Sequence, residues 1–223
     1  MCGRYTITVL LEEIFGRFGI EPLPYEYLPR YNVAPGQAVH AIIEHQGRRR
    51  IGTLRWGLIP SWAKDEKIGF KTINAKAETL QEKPSFRGAF QRKRCLIPAD
   101  SFYEWKKTEN GDKQPMRIMR KDRKLFAMAG LYDTWISSEG NKISTCTIIT
   151  TPPNELVLPI HNRMPAILDP QNEALWLDRN VSDPRILSEL LVPYPAEQMT
   201  VYPVNPRVGQ VANDDPDCIE VWK

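Results

Sequence analysis

Between residues 94 and 150 the chain passes through a succession of short strand-like runs, and this narrows its fold more than any other feature. The runs are 94–98, 101–106, 115–120, 124–130 and 143–150. Asn110-Gly111 and Glu139-Gly140-Asn141 fall between them, and such residues supply the positive φ that tight hairpins need. The spacing therefore predicts antiparallel hairpins. Upstream, 38–44 (AVHAIIE) and 50–58 (RIGTLRWGL) read as two more strands joined by a turn at Gly47. Residues 2–8 read as an opening strand and 199–205 as a last one. Nineteen prolines in 223 residues argue for short elements and many turns rather than a helical bundle.

Helical signals are few. In 9–18 (VLLEEIFGRF) Leu11, Ile14, Phe15 and Phe18 share one face, with Thr8 as the N-cap. Residues 74–81 read as a short helix capped by Asn74, and 86–91 as another. Asp169-Pro170 and Ser182-Asp183-Pro184 open two more, the second running over 184–192 and buried through Ile186, Leu187, Leu190 and Leu191. Nothing suggests alternating βαβ units. The expectation is one strand-dominated α+β domain over 1–223. Its acidic segment 213–218 reads as a mobile tail, or as a loop before a final short strand.

No apolar run is long enough to span a membrane, and MCGRYTIT lacks the basic and apolar regions of a secretory signal. The expectation is a cytoplasmic monomer in a reducing compartment. None of the four cysteines stands at metal-ligand spacing, so no metal is expected, and nothing suggests an organic cofactor. Cys95 and Cys146 lie in apolar runs and read as buried thiols.

Cys2 carries the sharpest chemistry. Removal of Met1 leaves an α-amine and a thiol on adjacent carbons, with reference pKa values of about 7.7–8.0 and about 8.5. Such a 1,2-aminothiol condenses with an aldehyde to an imine and then closes a five-membered thiazolidine. The same cysteine can instead attack a carbonyl with its own amine as base. His161, in PIHNRMP, lies in a loop bounded by prolines and suits proton transfer near neutrality. Glu104 interrupts the aromatic run SFYEWKK. Alternation puts it with Phe102, opposite Tyr103 and Trp105, where apolar surroundings would raise its pKa.

Charge is divided unevenly. Residues 1–130 hold 24 Lys/Arg against 14 Asp/Glu, a net of +10, whereas 131–223 hold 6 against 13, a net of −7, which together give the overall +3. The first part suits a polyanionic partner. Trp56, Trp62, Phe70 and Trp105 are interleaved there with Arg4, Arg55, Lys64, Lys67, Lys71 and Lys76. Flat rings stack on exposed bases while cations meet phosphates, and only one or two of these aromatics are expected to touch a ligand.

Seven strings follow in order after MCGRY: YNVAPGQ (31–37), LRWGLIPSW (54–62), INAKAET (73–79), CLIPADSFYEW (95–105), FAMAGLY (126–132), TIITTPPN (147–154) and IHNRMPAIL (160–168). Together they resemble the SOS response-associated peptidase (SRAP) family over nearly the whole chain. The resemblance implies a mixed domain around a barrel-like, mainly antiparallel sheet with short flanking helices. It also implies a sensor of abasic sites in single-stranded DNA, including ssDNA–dsDNA junctions, that shields the lesion in a thiazolidine crosslink. Carried over, Cys2 is the nucleophile and Asn74 orients its amine or the sugar. Glu104 is the acid/base, and His161 moves protons and takes part in reversal. Arg4 and Lys76 hold phosphates, and Trp62 and Phe70 lie at the base-stacking or strand-separating surface. The family often has Arg in place of Lys76, Gly in place of Ser101 and Asp in place of Asn162. The family name records a peptidase activity with the same nucleophile, and AP-lyase activity is a further expectation. Thiol peptidase, N-terminal-nucleophile amidohydrolase and non-covalent single-strand binder are the competing readings.

Overall fold

The computed structural model describes residues 2–222. In chain order β1 (Tyr5–Ile7) precedes helix α1 (Leu11–Phe18), then β2 (Arg30–Val33), β3 (Ala38–His45), β4 (Arg48–Trp56) and β5 (Asn74–Lys76). Helix α2 (Pro84–Arg92) leads into β6 (Arg94–Ala99), β7 (Ser101–Lys107), β8 (Lys113–Arg120), β9 (Phe126–Ile136) and β10 (Lys142–Thr151). Short strands β11 (Met164–Pro165) and β12 (Ile167–Leu168) precede α3 (Glu173–Leu177), α4 (Pro184–Glu189) and β13 (Met199–Pro203).

The neighbours β10, β4, β3, β6 and β9 return to β10, which closes a five-stranded barrel. Closure leaves these strands no open edge. A second sheet runs β13–β8–β7–β1–β2 and is antiparallel. The α+β, barrel-like architecture is the one expected. The hairpins β3–β4, β7–β8 and β9–β10 are present, and Gln46 (φ 53°) with Gly47 (φ 73°) forms the first turn. What hairpin reasoning did not supply is the closing seam. β4 pairs with β10 in parallel, and β5 also lies parallel to β10.

Three local expectations are corrected, and of two alternatives for a fourth segment the structure shows the second. Residues 74–76 form a strand rather than a helix, because they pair with Ile148–Thr150; only Ala77–Thr79 turns helically. Tertiary pairing overrides a weak local preference. Helix α1 starts after Leu10 without a side-chain cap. Thr8 gives its N–H and hydroxyl to the Asp100 carboxylate instead, at 2.5 and 2.7 Å. In α4, which ends at Glu189, Leu187 and Leu191 are buried but Ile186 is exposed. The segment 213–218 is bound to the body rather than loose. Asp214 accepts from the Tyr31 and Asn32 N–H groups and from Arg30, and Cys218 is buried beside Val204 and Val208. It is the loop before the bridge Val204–Val221. Among the described residues no helix is long and apolar enough to cross a membrane.

Candidate active site

The first strand lies in the middle of a sheet. β1 lies between β2 and β7, with Tyr5 opposite Phe102 and Thr6 opposite Ser101. The Tyr103 N–H donates to the Arg4 carbonyl at 2.9 Å, which extends this register to Arg4, and Glu104 lies near enough for its charge to act on the Cys2 thiol. Three paired residues are little for a central strand, and buried polar ties add to them. Asp100 binds the Thr6 hydroxyl and both Thr8 donors, and Arg117 joins Asp100 (3.5 Å), Ser101 (2.8 Å) and the Tyr202 hydroxyl (2.6 Å).

Cys2 is fully buried, with Sγ 4.0 Å from the Arg4 carbonyl oxygen. Burial first, then the charge of Glu104, raises its thiol well above the ordinary value, so the sulfur is protonated at neutral pH. The expected removal of Met1 concerns a residue outside those described. Glu104 is 3% exposed, and burial pushes its carboxyl up to about 7. The alternation read from the sequence holds: Phe102 joins the main core, while Tyr103 and Trp105 belong to a separate cluster with Val204, Val208 and Cys218.

His161 Nδ1 lies 3.9 Å from Glu104 Oε1 and accepts the Arg163 N–H at 3.0 Å. The Arg163 carbonyl oxygen lies 3.3 Å from the same Nδ1, so this ring nitrogen meets a backbone donor and a backbone acceptor of one residue. Burial lowers the imidazole pKa, which keeps the ring neutral at pH 7. Asn74 heads β5, where Nδ2 is 3.4 Å from the Ile148 carbonyl. Its Oδ1 is buried and has no partner among the described residues, an open acceptor suited to an amine or hydroxyl donor.

The structure thus gathers Cys2, Glu104 and His161, and sets Asn74 on β5 beside β10, whose other pairings lead through β11 to the His161 loop. Arg163 and Glu78 were missed, although both lie inside the quoted strings. Their bidentate ion pair, 2.7 and 2.9 Å, ties that loop to the turn after β5. Only the contact, not the residue types, marks them out.

The charged and aromatic candidates divide clearly. Trp62 and Phe70 are 59% and 77% exposed, and Lys71 and Lys76 are exposed as well. Trp56 is core, packed on Tyr5 and donating to the Ile73 carbonyl, and Trp105 lies under Arg4. Arg4 gives its guanidinium to Asn32, Val208 and Gly209, so its observed part is to pin the first strand to the 208–209 turn rather than to present a cation. Arg55 is paired with Glu66 at 3.1 Å. The Phe70 segment is seated by backbone contact: a Cβ on Gly57 (φ +134°) would lie 2.7 Å from the Gly69 carbonyl oxygen. Among the described residues no group of three or more His, Cys, Asp or Glu is placed to hold a metal ion.

Fold and site together define a barrel-cored α+β protein in which the buried Cys2 and Glu104 neighbour the half-buried imidazole of His161. The chain belongs to the SOS response associated peptidase (SRAP) family, whose model matches residues 1–211. It is 54% identical to the abasic site processing protein YoqW of Bacillus subtilis, over 99% of each chain. It is 35% identical to the abasic site processing protein HMCES of Gallus gallus, over 86% of this chain and 66% of that one. A crystal structure of a protein from Bacteroides thetaiotaomicron superposes with a TM-score of 0.87 at 30% identity, covering all of both chains.

Proposed function

We propose that this protein processes abasic sites in single-stranded DNA, including junctions with duplex, by crosslinking to them through Cys2 once Met1 is removed. The observation that carries the reading is a fully buried Cys2 within the field of Glu104, whose own burial pushes its carboxyl up to about 7 and whose Oε1 lies 3.9 Å from His161 Nδ1. The names of the relatives support the substrate.

The chemistry follows from the protonation states. The α-amine attacks the aldehyde of the opened deoxyribose, and protonated Glu104 donates to the departing oxygen, so water leaves as the imine forms. The Cys2 thiol then gives up its proton, to the Glu104 carboxylate or the imine nitrogen, as sulfur adds to the imine carbon and closes the thiazolidine. Asn74 Oδ1 receives an N–H of the amine or a hydroxyl of the sugar. His161 serves ring opening and reversal by moving a proton. Trp62 and Phe70 stack on bases, while Lys71, Lys76 and Arg55 meet phosphates. An imine left untrapped allows strand scission by β-elimination, which is where AP-lyase activity would arise. A thiol peptidase needs a stabilised thiolate; burial and Glu104 both act against one at Cys2, which favours the amine-first reaction.

The test uses single-stranded oligonucleotides with and without an abasic site, resolved under denaturing conditions. A stable adduct is expected only with the lesion, and Cys2→Ala or a form keeping Met1 loses it. An adduct surviving in both variants overturns the proposal. Affinity for single strands should fall as salt rises.

A further inference from the structure

Trp62 stands exposed although a ring of its size gains by burial. It is the third residue of the turn Pro60–Ala63, which the Ala63 N–H closes on the Pro60 carbonyl at 2.9 Å. The residues on either side of it are tied to one strand. Ser61 gives its N–H to Asp133 Oδ2 at 2.9 Å, and the Ala63 carbonyl accepts from Trp135 Nε1 at 2.7 Å. Asp133 and Trp135 are two apart on β9, so they share a face, and both are buried. A further tie precedes the turn: the Ile59 N–H donates at 2.8 Å to the hydroxyl of Thr145, the residue opposite Asp133 on β10. Asp133 is itself fixed. Its Oδ1 accepts from Lys93 Nζ at 2.6 Å and from the Thr134 N–H at 2.8 Å. The carboxylate cannot swing away from Ser61 without giving up a charge-assisted bond. Beside the indole of Trp62 lies a hollow of about 450 Å³ whose lining includes Lys64, Lys67 and Lys71.

We propose that Asp133 and Trp135 are positioning residues for Trp62, locking the Pro60–Ala63 turn so that the indole is held out from the barrel as a preset platform for an unpaired base. This rests on the crosslinking reading, in which Trp62 stacks on DNA, for its consequence, though not for its geometry. Both hydrogen bonds go to the backbone of the turn, so they set where the ring stands without using the ring itself. With either bond lost, one flank of Trp62 is free. The ring then exchanges between its outward position and positions folded against the protein. A ring ordered before binding has less freedom to lose when a base stacks on it. The anchors therefore act on affinity for the strand and not on the reacting groups Cys2, Glu104 and His161.

The experiment is fluorine NMR of the full-length protein labelled with fluorotryptophan, the Trp62 line being assigned by its loss in Trp62→Phe. Beside it, adduct formation on abasic single strands is followed across DNA concentrations. The parent shows one sharp Trp62 line. Asp133→Ala and Trp135→Phe each broaden or split that line and raise the half-saturating DNA concentration roughly three- to tenfold, with little change in the rate at saturation. Trp135→Phe keeps an aromatic ring in place and tests the same turn if Asp133→Ala does not fold, and matched thermal denaturation shows which variants are folded. In a Trp62→Ala background Asp133→Ala adds no further loss of affinity, because its effect runs through the ring. A Trp62 line unmoved in the folded anchor variants overturns the proposal. An undiminished loss of affinity in the Trp62→Ala background overturns it in favour of a merely structural role. If Trp62→Ala alone leaves the half-saturating concentration unchanged, Trp62 is no platform and the proposal falls, while adduct formed by the parent upholds the crosslinking reading. If the parent forms no adduct, that reading falls, and the Trp62 line with single-strand binding still decides the lock.

Discussion

The barrel and the second sheet solve the same problem by opposite means. The barrel closes on itself, and side chains on its strands such as Ile42, Leu96, Ile97, Met128 and Ile148 are sealed from solvent. Its strands run up to 11 residues, and β9–β10 and β3–β4 pair along most of their lengths. The second sheet must hold a three-residue strand at the start of the chain, and apolar contact alone does little for so short a piece. It uses buried charge instead: Asp100, Arg117 and Arg4 bind β1, β7 and the turn at 208–209. The contrast teaches why the site is where it is. Cys2 precedes a short strand, and the sheet that carries that strand is specified by hydrogen bonds to Asp100, Arg117 and Arg4.

Breaking the strap should have the largest effect. Asp100→Ala leaves Arg117 buried without its carboxylate and two donors of Thr8 without their acceptor, and is expected to cost about 3–5 kcal/mol in urea unfolding. Native-state labelling of Cys2 by a thiol reagent should accelerate beyond what the global loss explains. Leu96→Ala is the barrel counterpart, expected at about 2–5 kcal/mol through a cavity. There, Cys2 should label no faster than global unfolding allows. Equal excess labelling in the two variants would erase the distinction between the sheets.

Glu104 sharpens the comparison through pH. A carboxyl raised from 4.5 to about 7 binds a proton in the folded protein that the unfolded chain has released. Stability therefore falls as pH rises from about 4.5 through 7, by an amount on the order of 2–3 kcal/mol. Glu104→Gln should flatten this part of the curve and be the more stable protein at pH 8, while forming adduct more slowly. A parent whose melting temperature is level across that window would count against the raised pKa. Gly57→Ala comes next, at about 1–3 kcal/mol, because its Cβ meets the Gly69 carbonyl in a backbone region that favours glycine. It should also displace Phe70 and weaken single-strand binding in titrations. The smallest stability change is expected for Trp62→Ala and Phe70→Ala, within about 0.5 kcal/mol. Each should still weaken single-strand affinity by about 1–3 kcal/mol if a base stacks on the ring. Unchanged affinity in both would remove them from the interface.

The strand runs, the turns and the faces of β7 were legible because each depends on neighbours in sequence. Gln46, Gly47 and Gly111 take the positive φ that their turns need, and alternation separates Glu104 from Tyr103 in any strand. Asn74 was misread as a cap because the string NAKAET has helical propensity, and its partner, Ile148, is 74 residues away. Arg4 looked like a free cation because Val208 and Gly209 stand some 200 residues downstream.

By itself, then, the sequence determined the hairpins, the interleaved rings and cations, and a cysteine at the second position. Tertiary structure alone decided that β4 and β10 close the barrel in parallel, that β1 lies inside a sheet, and that Glu104 is buried deeply enough to titrate near neutrality. The physical reason is the range of the interactions. Backbone torsions and side-chain alternation are set within a few residues. Desolvation and the meeting of charges exist only after distant strands have paired.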